Sequence, residues 1–221
     1  FLRDTLALDV QELGPEHDQT LVTMWNLGVA CDGSGQADMA VPLLEDALEK
    51  HTRLLGENSD RTLLVLNDLA LALIHAGKAK QSLPLLTRSV DVLRRQLGAD
   101  HQETLIATFN LGIAYIGAGQ FNDGVDVYEK LLETYTRLYG VEHPKTLEAG
   151  GALLEAYRLA GRREEGKRLA LSQLQILRTQ SDEIALSSGL AVGAEAFLES
   201  EMYAEAEPLA RECVEIRAVK L

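Results

Sequence analysis

The line "LGPEHDQTLVTMWNLG" occupies residues 13–28, and "LGADHQETLIATFNLG" occupies residues 97–112. The offset between them is twice 42 residues, and the 42-residue step organises most of the chain. Gly14, Gly56, Gly98 and Gly140 fall on it, as do Thr20, Thr62, Thr104 and Thr146, each followed by Leu. So do Leu27, Leu69, Leu111 and Leu153, then Ala30, Ala72, Ala114 and Ala156, then Gly35, Gly77, Gly119 and Gly161. Self-similarity at a fixed period of this size marks a repeat architecture.

Each period reads as two helices. Helix A runs from the Thr-Leu pair to just before the second glycine. In the first period its apolar residues are Leu21, Met24, Leu27, Gly28 and Cys31, the stripe of a 3.6-residue turn. Helix B follows Gly35, with Ala40, Leu43, Leu44, Ala47 and Leu48 on its stripe. The turn glycines sit where one helix must stop, and glycine alone adopts positive φ there without a steric cost. Small residues such as Gly28 and Ala40 let helix backbones approach closely. Pro42, Pro84 and Pro208 lie beyond the first turn of helix B, where a slight kink rather than a break is expected. Residues 1–13 resemble a lone helix B, and the last period arrives two residues early, since Phe121 and Tyr203 correspond. The expected fold is therefore all-α, a right-handed solenoid of helix hairpins with about eleven helices. As a single array over 1–221 it divides into 1–13, 14–55, 56–97, 98–139, 140–180 and 181–221.

Composition agrees with this and excludes several function classes. The chain has 221 residues, 46% hydrophobic but only 5% aromatic, a helix-rich balance. Its net charge is −13, with no basic stripe, which argues against nucleic acid and against anionic lipid. No apolar run is long enough to cross a membrane. Two cysteines far apart make no disulfide framework and suit a reducing, cytoplasmic setting. The opening "FLRDTLALDV" has no Met and no signal-peptide pattern, so the chain reads as a piece of a longer polypeptide.

"YGVEHPKTL" at 139–147 and "YAEAEPLARECVEIR" at 203–217 resemble the tetratricopeptide repeat in its longer 42-residue form, that of kinesin light chains. The resemblance covers nearly the whole chain. It implies a superhelix of stacked hairpins with the A helices on the concave side. It also implies a binding module rather than an enzyme. Similar arrays occur in bacterial multidomain regulators beside kinase or NTPase modules.

The positions that the resemblance places on the concave side are Val22, Trp25, Asn26, Val29 and Asp32, then Leu64, Asn67, Asp68, Leu71 and His75. They continue with Ile106, Phe109, Asn110, Ile113 and Ile116. In the fourth period the character changes to Glu148, Gly151, Glu155 and Arg158, and in the last it is Ala191, Glu195 and Leu198. The first three periods thus offer apolar residues, with Trp25 and Phe109 as large faces. Asn26, Asn67 and Asn110 could clasp a peptide backbone, since an amide both donates and accepts. They could equally bond helix to helix, as buried amides usually do. Asp68 stands where the pattern has an amide. The carboxylate clamp of chaperone-binding relatives is missing, because Trp25 and Val29 hold its first positions.

Chemistry finds little footing. His17, His101 and His143 share one register, with Ser59 as its fourth member. Successive repeats place equivalent residues about 10 Å apart, too far for zinc, whose nitrogens lie within about 2.1 Å of the ion. Pro144 after His143 instead marks a helix start. "GRREEGK" at 161–167 satisfies G-x-x-x-x-G-K, but Arg168 stands where a nucleotide loop needs Ser or Thr. Cys31 falls on the buried stripe. No catalytic residue, metal or cofactor is expected. The expected partner is a protein or peptide with apolar anchors and some basic residues, held in the concave groove. Homo-oligomerisation, or service as the sensor arm of a kinase or NTPase, are the alternatives.

Overall fold

A computed structural model describes residues 1–179, 183–199 and 202–220. Eleven α-helices are found there: α1 (Leu2–Leu13), α2 (Asp18–Gly33), α3 (Ala37–Leu55), α4 (Asp60–His75), α5 (Ala79–Leu97), α6 (Gln102–Gly117), α7 (Phe121–Tyr139), α8 (Pro144–Leu159), α9 (Arg163–Thr179), α10 (Glu183–Glu199) and α11 (Tyr203–Lys220). Helices α2, α4, α6 and α8 begin 42 residues apart, and so do α3, α5, α7 and α9. The all-α class, the hairpin repeat and the helix count are as the sequence led us to expect. The boundary placed between residues 180 and 181 lies outside the described residues. The chain divides into two compact units, Phe1–Gly119 and Gln120–Leu221, taken separately below.

In the first unit the period is written into the loops. Gly98 ends α5 at φ 95° and Gly35 turns the first hairpin at φ 76°, both in the left-handed region that a side chain resists. Three residues after Gly98, the Nδ1 of His101 accepts the N–H of Glu103 at 3.3 Å and caps α6. His17 caps α2 through Gln19 in the same way, and Ser59 caps α4 through Thr62. Each cap satisfies an N–H that the first turn leaves without a partner. The buried hydroxyls of Thr20, Thr62 and Thr104 then donate to the carbonyls of Gly14, Gly56 and Gly98, each at 2.8 Å. This bond ties the start of every A helix to the end of the preceding B helix.

Packing follows the two stripes. Leu21, Met24, Leu27, Gly28 and Cys31 of α2 are buried, as are Ala40, Leu44 and Ala47 of α3. A Cβ at Gly28 would lie 2.7 Å from Leu44 Cδ2, so the close approach of α2 and α3 requires glycine there. Pro42 and Pro84 lie inside α3 and α5 without breaking them. Helix α2 packs on α4, and α4 on α6, so the A helices form one layer. Helices α3 and α5 pack between them from the other side.

In the second unit α8 repeats the cap with His143 and Lys145, and the hydroxyl bond from Thr146 to Gly140. Tyr157 donates to Glu129 at 2.7 Å, and the Arg162 guanidinium lies over its ring. Burial, then that carboxylate, push the Tyr157 hydroxyl up to about 12. Helix α9 is described as far as Thr179. A core of Leu174, Leu190, Phe197, Leu209 and Cys213 joins α9, α10 and α11. Two ion pairs, Lys167–Glu205 and Arg178–Glu212, run from α9 to α11.

Candidate functional site

The A-helix layer of the first unit is laced by bonds that all join residue n to residue n + 43. Trp25 Nε1 donates to Asp68 Oδ2 at 2.6 Å. Asn110 Nδ2 donates to Asn67 Oδ1 at 3.0 Å. His75 Nδ1 lies 2.9 Å from both Asp32 oxygens, and Arg61 pairs with Asp18. A step of one repeat plus one residue carries a side chain to its neighbour helix on the same face. Burial raises the Asp68 carboxyl above its ordinary 3.8, the Trp25 N–H pulls it back, and the charge of Asp32 raises it again.

These bonds sort the expected groove residues. Asn67 and Asn110 spend amide groups on each other, and Asn110 is only 7% exposed. Between these two amides the helix-to-helix reading holds. Trp25 is half-buried. Its ring packs against the cluster of Met24, Ala47 and Val65 and stands edge-on to His51 at 6.3 Å. What faces outward is aliphatic: Val29 at 41%, Leu64 at 41% and Ile106 at 37% exposure. Val22, Leu71, Phe109 and Ile113 are half-buried beside them, and Asn26 is exposed. In the second unit Glu148 and Glu155 are both exposed, with Glu155 held by Arg158 at 2.5 Å.

A cavity of about 430 Å³ opens between α4, α5 and α6, a volume within the range of ligand sites. Leu63, Leu64, Leu93, Leu97, Ile106 and Ala107 make its walls, Asn67 borders it, and Asp60, Glu103 and His101 complete the lining. Ser89 also lines it, fully buried, and its Oγ has no hydrogen-bond partner. Leu64, Asn67 and Ile106 were expected on the concave side, whereas the B-helix residues Ser89, Leu93 and Leu97 that line the cavity with them carried no such expectation. The available signal was the register Trp25, Asn67, Phe109, in which a small polar residue interrupts two aromatics.

The other motifs resolve into structure. The histidine register is the row of helix caps already described. "GRREEGK" contains the turn at Gly161, with φ 70°, followed by the first turn of α9, where Arg162 pairs with Glu165 and Glu129. Cys31 and Cys213 are buried in the cores of their units. Among the described residues, no helix is long and apolar enough to cross a membrane.

Capped hairpins on a fixed period, with the A helices in one layer, define a helical repeat protein. Family models described as tetratricopeptide repeat match residues 1–53 and 61–123, and a second covers 109–145. The chain belongs to the tetratricopeptide repeat family. No curated protein matches it. Among solved structures, the nearly identical TPR-like repeats assigned to a kinesin light chain of Podosopora anserina superpose with a TM-score of 0.82 at 24% identity, covering 91% of this chain and 97% of that one. BtubC (BKLC) from P. vanneervenii gives 0.71 at 16% identity over 98% and 87% of the two chains. A Rap protein complexed with Competence and Sporulation Factor gives 0.57 at 12% identity, over 90% of this chain and 64% of that one. These likenesses concern the fold. Tetratricopeptide repeats are in general protein–protein interaction modules, and the fold is typically a non-catalytic scaffold.

Proposed function

We propose that the first unit binds a peptide segment of a partner protein along the outward face of α2, α4 and α6. The observation that carries this reading is the row of exposed aliphatic residues on one layer, Val29, Leu64 and Ile106, beside a cavity walled by leucines. Aliphatic side chains left in water beside a concavity are what a partner covers. The partner is a protein or peptide with apolar anchors and some basic residues, because the chain carries a net charge of −13 and complementary charge speeds and selects encounter. The array works in the cytoplasm as the recognition part of a larger regulatory or scaffolding protein.

The test is selection from a random dodecapeptide display library on the whole chain, followed by affinity measurement with the selected peptides. Val29→Glu and Leu64→Glu, on exposed positions that leave the core untouched, are each expected to weaken binding by about tenfold or more, the loss of an anchor worth at least 1 kcal/mol. Affinity unchanged in both variants removes this face from the function.

A further inference from the structure

The cavity beneath Leu64 and Ile106 has a counterpart one repeat earlier, and that counterpart is filled. The position 42 residues before Asn67 is Trp25. The positions before Ser89, Leu93, Ala107 and Asn110 are Ala47, His51, Val65 and Asp68. Trp25 packs against Ala47 and Val65, stands edge-on to His51, and donates sideways to Asp68. The same repeat geometry with Asn67 in place of an aromatic leaves the space open, and Asn67 keeps only the sideways bond, to Asn110. The cavity is therefore the volume that an aromatic ring occupies in the preceding repeat.

Its polarity differs from that of the filled slot in two respects. Where Asp68 accepts from the indole of Trp25, the second slot has Asn110, whose Nδ2 donates to Asn67 Oδ1, so an indole N–H pointing that way meets no carboxylate. The wall that is Ala47 in the first slot is Ser89 in the second, with a fully buried hydroxyl that bonds to nothing. Burying a hydroxyl unpaired is costly, and the cost is relieved by a ligand that brings a polar atom to it. A ring with its polar group at the tip does so, whereas a charged tip would be desolvated without a counter-charge. Asp60 and Glu103 also line the cavity, and their carboxylates favour cations on either side of the inserted ring.

Resting on the proposed peptide-binding face, we infer that this cavity is a specificity pocket for a tyrosine flanked by lysine or arginine. The phenol ring takes the place that Trp25 takes in the first slot, its hydroxyl bonds Ser89 Oγ, and its basic neighbours meet Asp60 and Glu103.

The experiment uses lysine-rich peptides with one central guest residue, Tyr, Phe or Leu, and a Tyr peptide in an aspartate-rich frame, titrated against the whole chain. The Tyr guest is expected to bind about fivefold more tightly than Phe, the worth of one neutral hydrogen bond. Ser89→Ala should erase that difference while leaving the Phe guest unchanged. Asn67→Trp reproduces the first slot from within. It should raise the melting temperature and abolish Tyr-peptide binding. The aspartate frame should bind at least tenfold more weakly. Equal binding of Tyr and Phe guests to the wild-type chain overturns the inference, as does undiminished Tyr binding by a folded Asn67→Trp variant. Should that variant not fold, the Tyr/Phe comparison across Ser89→Ala decides alone. Library peptides lost on Val29→Glu but held equally by the Ser89→Ala and Asn67→Trp variants refute the pocket and leave the wider face standing. A library that yields no binder removes the face itself.

Discussion

Trp25 and Asp68 show how a residue expected on the concave side can also serve the packing of the A-helix layer. An aromatic at a concave register is a natural anchor for a partner, yet here the indole N–H is committed to Asp68 and the ring to the cluster of Met24, Ala47 and Val65. Trp25→Ala is accordingly expected to cost about 3 kcal/mol of stability, the range for removing a packed large aromatic, measured by urea unfolding. Asp68 carries a burial penalty, and its carboxyl is raised from 3.8. A raised acid binds more protons folded than unfolded, so its ionisation takes stability away as pH rises through the folded value. Asp68→Asn keeps an acceptor for Trp25 and removes the charge. It should be more stable than wild type at pH 7, and the gap should close as pH falls toward the ordinary 3.8. A gap that stays constant between those limits would contradict this account of Asp68. None of it was legible in the sequence, where position 68 showed only as a departure from an amide pattern. The bond that explains it crosses 43 residues.

The helix is the scale at which the sequence was most readable. Period, stripe and turn glycine act locally, so Leu21, Met24, Leu27, Gly28 and Cys31 could be placed on one buried face before any coordinates. The repeated Thr was visible as a register, but its work was not. It closes the loop onto Gly98 and its equivalents, a bond between two helices rather than within one. Thr104→Val should cost about 1 kcal/mol, the net worth of one hydrogen bond. His101→Ala should cost about 1 kcal/mol through loss of the cap on α6. Both are read from the midpoint of chemical denaturation. Gly98 stands at φ 95°, so Gly98→Ala should cost about 1–3 kcal/mol through backbone strain alone. An alanine tolerated there without loss would contradict the role given to the turn.

At the scale of the whole chain, repetition supplies similar slots, and the proposed recognition rests on the place where one repeat departs from the others. Asn67 is that departure in the first unit. The sequence showed the register but not the cavity, because the walls Leu93 and Leu97 and the orphan Ser89 come from the B helix of the same repeat. A basic ligand on this acidic chain should respond to salt. Raising ionic strength from about 0.1 M to about 1 M shortens the screening length from about 10 Å to about 3 Å, and affinity should fall accordingly. The most direct test of the central claim is a nuclear magnetic resonance titration of the isotope-labelled chain with a library-selected peptide. The perturbed resonances should gather on Val29, Leu64, Asn67, Ile106 and Ile113. Perturbations confined to α3, α5 or the second unit would contradict it.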